Sequence, residues 1–261
     1  MPELENRTGF SVEGVPMINK DGCNVFVVIV KGTFRLDPGG KLLVSDRQQA
    51  IAFVEEYCGD PETSNVRIPS DLIDYKPGAD VIISESAEWR KGQGPFGRKI
   101  ALEIGPLRKT KRVFAEWIFG PTRRDHKPRS RYAGTYDQDW IKSRMPLLPA
   151  DFDDRYNLVA PPDQVVTDYL KGDEHVKLTG LYPEGTVEFD LPGCAVVVAG
   201  NVMSRYFTEV ANLDTLIIWP DSPKVSLVWR YPIRCRKIAE VCNVYVDLVR
   251  RQKATEIFGK P

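Results

Sequence analysis

NVFVVIVKGTFRL, residues 24–36, opens with six consecutive β-branched or aromatic residues, Val25 to Val30, and passes into alternation through Thr33, Phe34, Arg35 and Leu36. Branching at Cβ favours a pleated strand, and a continuous apolar run flanked by turn residues is the pattern of a strand buried on both faces. The expectation is a buried strand that becomes half-exposed towards its end. Asp37-Pro38-Gly39-Gly40 follows, where Pro fixes φ and the glycines accept positive φ, so Lys41 to Val44 should run back as the second arm of a hairpin.

Outward from this hairpin the same grammar recurs. Further strand-like runs are Asp80 to Ser84, Lys99 to Ile104, Val113 to Ile118, Val176 to Leu181, Thr186 to Leu191, Ala195 to Val202, Thr215 to Trp219 and Val225 to Tyr231. Turn signals separate them at Lys76-Pro77-Gly78, Gly92-Gln93-Gly94-Pro95 and Tyr182-Pro183-Glu184-Gly185. Two segments break the pattern. Tyr136 to Arg144 has the caps of a short helix, whereas 238–252 fits a helix by spacing and a long strand by its valines, and stays open between the two. The expected fold class is all-β, mainly β with a few short helices. Sandwich-like or barrel-like antiparallel sheets would surround a long ordered loop region in the middle. The chain reads as one β-rich domain, 1–261, within which 1–118 and 172–261 can form sub-lobes bridged by the 119–171 loop block.

Composition narrows the function. Lys+Arg and Asp+Glu total 36 each, so no net field draws the 261-residue chain to nucleic acid or to an anionic membrane. No apolar run is long enough to span a bilayer as a helix, the N-terminus lacks a secretory leader pattern, and five scattered cysteines read as reduced thiols, which together predict a cytoplasmic protein. Charge is nonetheless uneven: residues 98–131 carry a net +8 and residues 132–190 a net −7. The simplest reading is that the two segments face each other within the fold. The core of the basic segment is a loop, Arg123, Arg124, Lys127, Arg129 and Arg131, whose expected counterpart is an acidic protein surface.

Tests for catalytic equipment return little. The two histidines, His126 and His175, are far apart, and no cysteine pair has zinc spacing. There is no GxSxG elbow, and the GxGxxG-like Gly92 to Gly97 is interrupted by Pro95 with no helix signal after it. No cofactor or metal is expected, and the protein reads as a non-enzyme. Asp151, Asp153 and Asp154 form the one acidic cluster suited to a glycosidic bond, so a carbohydrate-active enzyme or glycan-binding β module is the alternative. Capping and pairing with a neighbouring Arg are the commoner uses of such residues.

The most distinctive text is YAGTYDQDWIKSRMPLLPADFDDRYNLVAPPDQ, residues 132–164. Its Gly134, Thr135, Tyr136, Asp137, Trp140, Arg144, Leu147, Leu148, Asp151, Phe152, Asp153, Pro161, Pro162, Asp163 and Gln164 resemble the signature block of the bacterial DUF2169 family. Asn6 to Phe10, Val28 to Phe34, Ser70-Asp71-Leu72, Lys76 to Val81 and Leu191-Pro192 resemble further landmarks of that family. Longer members have more sequence before the block. The resemblance implies a type VI secretion context: an adaptor or chaperone that binds an effector toxin, a spike or a PAAR-type tip protein, with no nucleic acid or membrane as partner. The block's prolines and aromatics suit either a rigid crossover that completes the core or a partner contact, and the exposure of Trp140 discriminates the two.

Overall fold

A computed structural model of the chain describes residues 2–57, 66–84, 98–113, 152–182, 185–220 and 222–258. The first strands are β1 (Leu4–Asn6), β2 (Ser11–Ile18), β3 (Asn24–Leu36), β4 (Leu42–Val44), β5 (Glu56–Tyr57) and β6 (Val66–Ile68). Then come β7 (Ala79–Ile83), β8 (Arg98–Ile104), β9 (Leu107–Val113), β10 (Val165–Val166), β11 (His175–Tyr182) and β12 (Gly185–Asp190). The chain closes with β13 (Cys194–Val202), β14 (Arg205–Val210), β15 (Asn212–Trp219), β16 (Lys224–Arg234), β17 (Val241–Arg250) and the helix α1 (Arg251–Phe258).

A central sheet runs in the order β10-β7-β15-β16-β3-β2, with β4 paired to β3, and two four-stranded sheets, β1-β17-β13-β14 and β12-β11-β8-β9, accompany it. All are open, so the all-β expectation holds in its sandwich-like rather than its barrel-like form. Two pairings, β1 with β17 and β7 with β15, are parallel, against the antiparallel expectation. The 238–252 segment resolves as one 3₁₀ turn, Ile238–Glu240, then β17, whose residues pair with β13 from Val241 to Arg250 because tertiary pairing outweighs the helical spacing, and its last two residues begin α1. The expected helix at Tyr136 to Arg144, residues 114–118 of the expected strand and the turn at 92–95 lie outside the described residues.

The opening run is explained by burial on both faces. Phe26, Val28, Val30 and Phe34 of β3 point into a large core shared with β7, β8, β11, β13, β15, β16 and β17. Val25, Val27 and Ile29 point the other way, onto Ile51 and Leu72 of the following loops. Contrary to the expected half-exposure, β3 stays buried through Phe34, because the loop after β4 folds over it: Gln48 Oε1 accepts from the Thr33 N–H and its amide donates to the Thr33 carbonyl. β2 lies at the sheet edge, the position that tolerates Pro16. Gly14 admits the Phe26 ring, since a Cβ there would lie 2.3 Å from it.

The two faces differ in chemistry. One is apolar throughout, with Phe10 stacked on Trp229 at 6.0 Å. The other carries Lys31 and Thr33 from β3, Asp80 from β7, Thr215 from β15, and Ser226 and Arg230 from β16, all buried, in line with Ile29, Ile82, Ile217 and Val228. Period-two alternation puts these polar residues on one side. The loops 70–76 and 152–170 cover them.

Candidate functional site

Beneath those loops the buried charges meet in pairs. Lys31 Nζ lies 2.8 Å from Asp71 Oδ2, which also accepts the Ala52 N–H at 2.7 Å. Lys76 Nζ donates to Asp80 at 2.7 Å and to Thr215 Oγ1 at 2.8 Å. Arg230 pairs with Asp214 and donates from its other terminal nitrogen to the Asp71 carbonyl at 2.9 Å, which ties the Asp71 loop to β16. Three cations face three carboxylates. That balance is what permits burial, since an unpaired charge here carries a penalty of several kcal/mol.

The sequence block plugs into the same layer. Asp80 accepts the N–H groups of Val159 and Ala160 at 3.2 and 3.0 Å, so the start of Ala160-Pro161-Pro162-Asp163-Gln164 is held by the same carboxylate that binds Lys76. Pro161 and Pro162 then open a 3₁₀ turn, Pro162–Gln164. Gln164 is fully buried, donates to the Val81 carbonyl at 2.8 Å and accepts from Lys109 at 2.6 Å, and Lys109 reaches Asp163 at 2.7 Å. This last contact joins the basic and acidic segments. Gly78 lets the block approach, because a Cβ there would lie 2.6 Å from the Val166 carbonyl oxygen. Tyr169, at φ 61°, donates its hydroxyl to the Lys76 carbonyl at 2.5 Å, and burial pushes its phenol well above its ordinary range. At the margin of the layer, burial likewise raises the Asp74 carboxyl.

Of the acidic cluster, Asp153 caps the 3₁₀ turn Asp154–Asn157 by accepting the Arg155 N–H and forms a two-nitrogen pair with the Arg155 guanidinium, which lowers its carboxyl. Asp154 binds Lys20 at 2.6 Å. Phe152 is buried. Gly134, Thr135, Tyr136, Asp137, Trp140, Arg144, Leu147, Leu148 and Asp151 lie outside the described residues, as do Arg123, Arg124, Lys127, Arg129 and Arg131. His175 is exposed beside Asp190 and Glu188, and the Asp190 contact raises its imidazole. The four described cysteines are free. No described helix is long and apolar enough to cross a membrane.

A second locus has no counterpart in the sequence reading. An open groove of ≈550 Å³ is lined on one side by Val202, Met203, Arg205, Tyr206 and Phe207, and on the other by Tyr231, Ile233, Arg234 and Arg236. It forms where a strand pair splits. β15 pairs with β16 as far as Asn212 opposite Arg230, while β14, just before it in the chain, pairs instead with β13. The floor is a stack of Phe207 on Tyr231, centroids 5.9 Å apart, and Phe207 in turn sits against Gly200. Tyr206 is 87% exposed and Met203 56%. Met203 and Ser204 form the two-residue turn between β13 and β14, both at positive φ, 51° and 65°. Such a type I′ turn favours Asn-Gly, so its side chains are held at a cost in backbone strain. The Met203 N–H donates to the Glu240 carbonyl at 3.1 Å, which fastens the hairpin tip to the 3₁₀ turn that follows Arg236 and Lys237.

The missed signal lay in Arg205-Tyr-Phe-Thr-Glu-Val210, a run of strand formers. With no Gly, Asn or Pro at 203–204, nothing punctuated it from the strand before.

Comparison with known families matches the chain to the model of DUF2169, described as an uncharacterized protein conserved in bacteria, over residues 21–119 and 117–230. The chain belongs to this family. No curated protein and no solved structure matches it.

Proposed function

From membership of this family we propose that the chain is a non-catalytic adaptor or chaperone, acting in the cytoplasm, that binds a type VI secretion effector and helps load it onto the spike or PAAR-type tip. The observation that carries this reading is the groove, where Tyr206 and Met203 stand exposed beside Arg205, Arg234 and Arg236. Aromatic residues, Met and Arg are the types enriched where proteins meet, and large exposed apolar side chains clustered at a concavity mark contact surfaces. The Trp140 block and the basic loop Arg123 to Arg131 are further candidate contacts. The glycan alternative draws less support, because Asp153 and Asp154 already engage Arg155 and Lys20.

Co-expression with the effector and the tip protein encoded beside the gene tests the proposal. Retention of one of them through size exclusion at micromolar concentration is expected. Failure to retain either, or hydrolysis of a glycoside that is lost in Asp153→Asn with melting unchanged, contradicts it.

A further inference from the structure

The chemistry of the groove goes further than an unspecified contact. None of the nine lining residues is acidic, and three are arginines. Arg205, Arg234 and Arg236 are exposed, and none of them forms an ion pair among the described residues. Some exposed cations elsewhere are matched, as Arg7 is by Glu5, Lys20 by Asp154 and Lys177 by Glu188, but what sets the groove apart is that three unmatched guanidiniums line one concavity. The nearest acid in sequence to Arg234 and Arg236, Glu240, directs its carboxylate to the backbone N–H groups of Arg236 and Lys237. Glu209 of β14 lies near Tyr231, whose phenol is raised by burial and then by the Glu209 charge, so one carboxylate borders the floor. A concentration of guanidiniums over an aromatic floor has the electrostatics of a carboxylate receptor, since the planar fork of Arg matches carboxylate geometry and stacks on rings.

Backbone topology adds direction. β14 ends its sheet: it pairs with β13 on one side, and no described strand lies on the other. Its residues are exposed or half-buried and it contains no Pro or Gly, so the open N–H and C=O groups form a template for another strand. Across the groove the case is different, because Pro232 lacks an N–H just where β16 has lost its partner β15. β16 thus offers side chains, and β14 offers an edge.

We propose that this groove receives an extended acidic segment, which adds as a strand to the edge of β14 and sets its carboxylates against Arg205, Arg234 and Arg236. On that same face, which Arg205 shares with Phe207, an aromatic side chain of the segment lies on the Phe207–Tyr231 floor beside Tyr206 and Met203. The inference deepens the adaptor reading and rests on it for the source of the segment, which is the effector.

The test uses the full chain and a short synthetic peptide of alternating Glu and Val with one Tyr, beside the same peptide carrying Lys for Glu. The acidic peptide is expected to bind and to slow exchange of the Arg205 to Val210 amides. Arg205→Glu with Arg234→Glu should weaken it on the order of tenfold or more while melting stays unchanged, and added salt should weaken wild-type binding. Equal binding of the Lys peptide, equal binding of a DNA duplex of similar charge, or unaltered β14 exchange overturns the proposal. Retention of the co-expressed effector separates the two claims. An effector held equally by wild type and by the double Glu variant leaves the adaptor reading standing and removes the groove. Acidic-peptide binding at β14 without effector retention keeps the groove and removes the adaptor reading.

Discussion

The protein carries two concentrations of charge, and they are opposites. Under loops 70–76 and 152–170, Lys31, Lys76 and Arg230 meet Asp71, Asp80 and Asp214 with every cation matched and buried. At the split between β14 and β16, Arg205, Arg234 and Arg236 stand in solvent without a matched acid. The first arrangement closes on itself, fixing where loops sit on a sheet. The second leaves its electrostatic need to be met from outside. Among the described residues, the family-like Lys31, Asp71, Lys76, Asp80 and Gln164 fall in or against the closed arrangement and serve architecture, and under the proposal the open groove carries the interaction.

The comparison breaks first at Asp80. Asp80→Ala strands the Lys76 ammonium and the Val159 and Ala160 N–H groups, and a loss of about 3–5 kcal/mol is expected in urea or thermal unfolding. A loss within about 0.5 kcal/mol, the range of ordinary surface changes, would mean that the layer is wet and not a scaffold. A change of opposite sign sharpens the other side. Replacing Met203→Asn together with Ser204→Gly gives the turn the residues its positive φ angles favour, and should stabilise the protein by about 1–2 kcal/mol in the same assay while reducing effector retention.

The smallest effect belongs to the acidic cluster. Asp153→Asn removes an exposed pair and a cap on a short 3₁₀ turn, for a loss under about 1 kcal/mol. Because Arg155 depresses the Asp153 carboxyl, its contribution is present above the unfolded carboxylate pKa, ~3.9, and is lost as pH falls through the lower folded value. Melting curves of wild type and variant should differ at neutral pH and converge in acid. A difference that persists unchanged in strong acid would assign the effect to something other than the ionised pair.

What the sequence made legible follows from local rules. The β3 run, its Asp37-Pro-Gly-Gly turn and most later strands are written in branching and punctuation, and Asp37 Oδ1 accepts the Gly39 and Lys41 N–H groups as such a turn needs. Asp153 as a cap for a neighbouring Arg was readable for the same reason. The pairing of Lys31 with Asp71, or of Asp214 with Arg230, was not, because Lys inside an apolar strand reads as a solvent-facing position until the loop that covers it is placed. The groove was further hidden. Its two walls are 24 or more residues apart in sequence, its Met203-Ser204 turn lacks Gly, Asn or Pro, and free guanidiniums look in sequence like any surface arginine. The Trp140 block and basic loop, the most conspicuous text for binding, lie outside the described residues.

Hydrogen exchange of the free protein and of its complex with the co-expressed effector tests the division between scaffold and binding surface most directly. The account predicts new protection confined to Met203–Val210 and Tyr231–Arg236, with the amides of Val159, Ala160 and Gln164 already slow and unchanged. Protection that appears at the 159–164 loop and leaves the β14 amides as fast as in the free protein would contradict it.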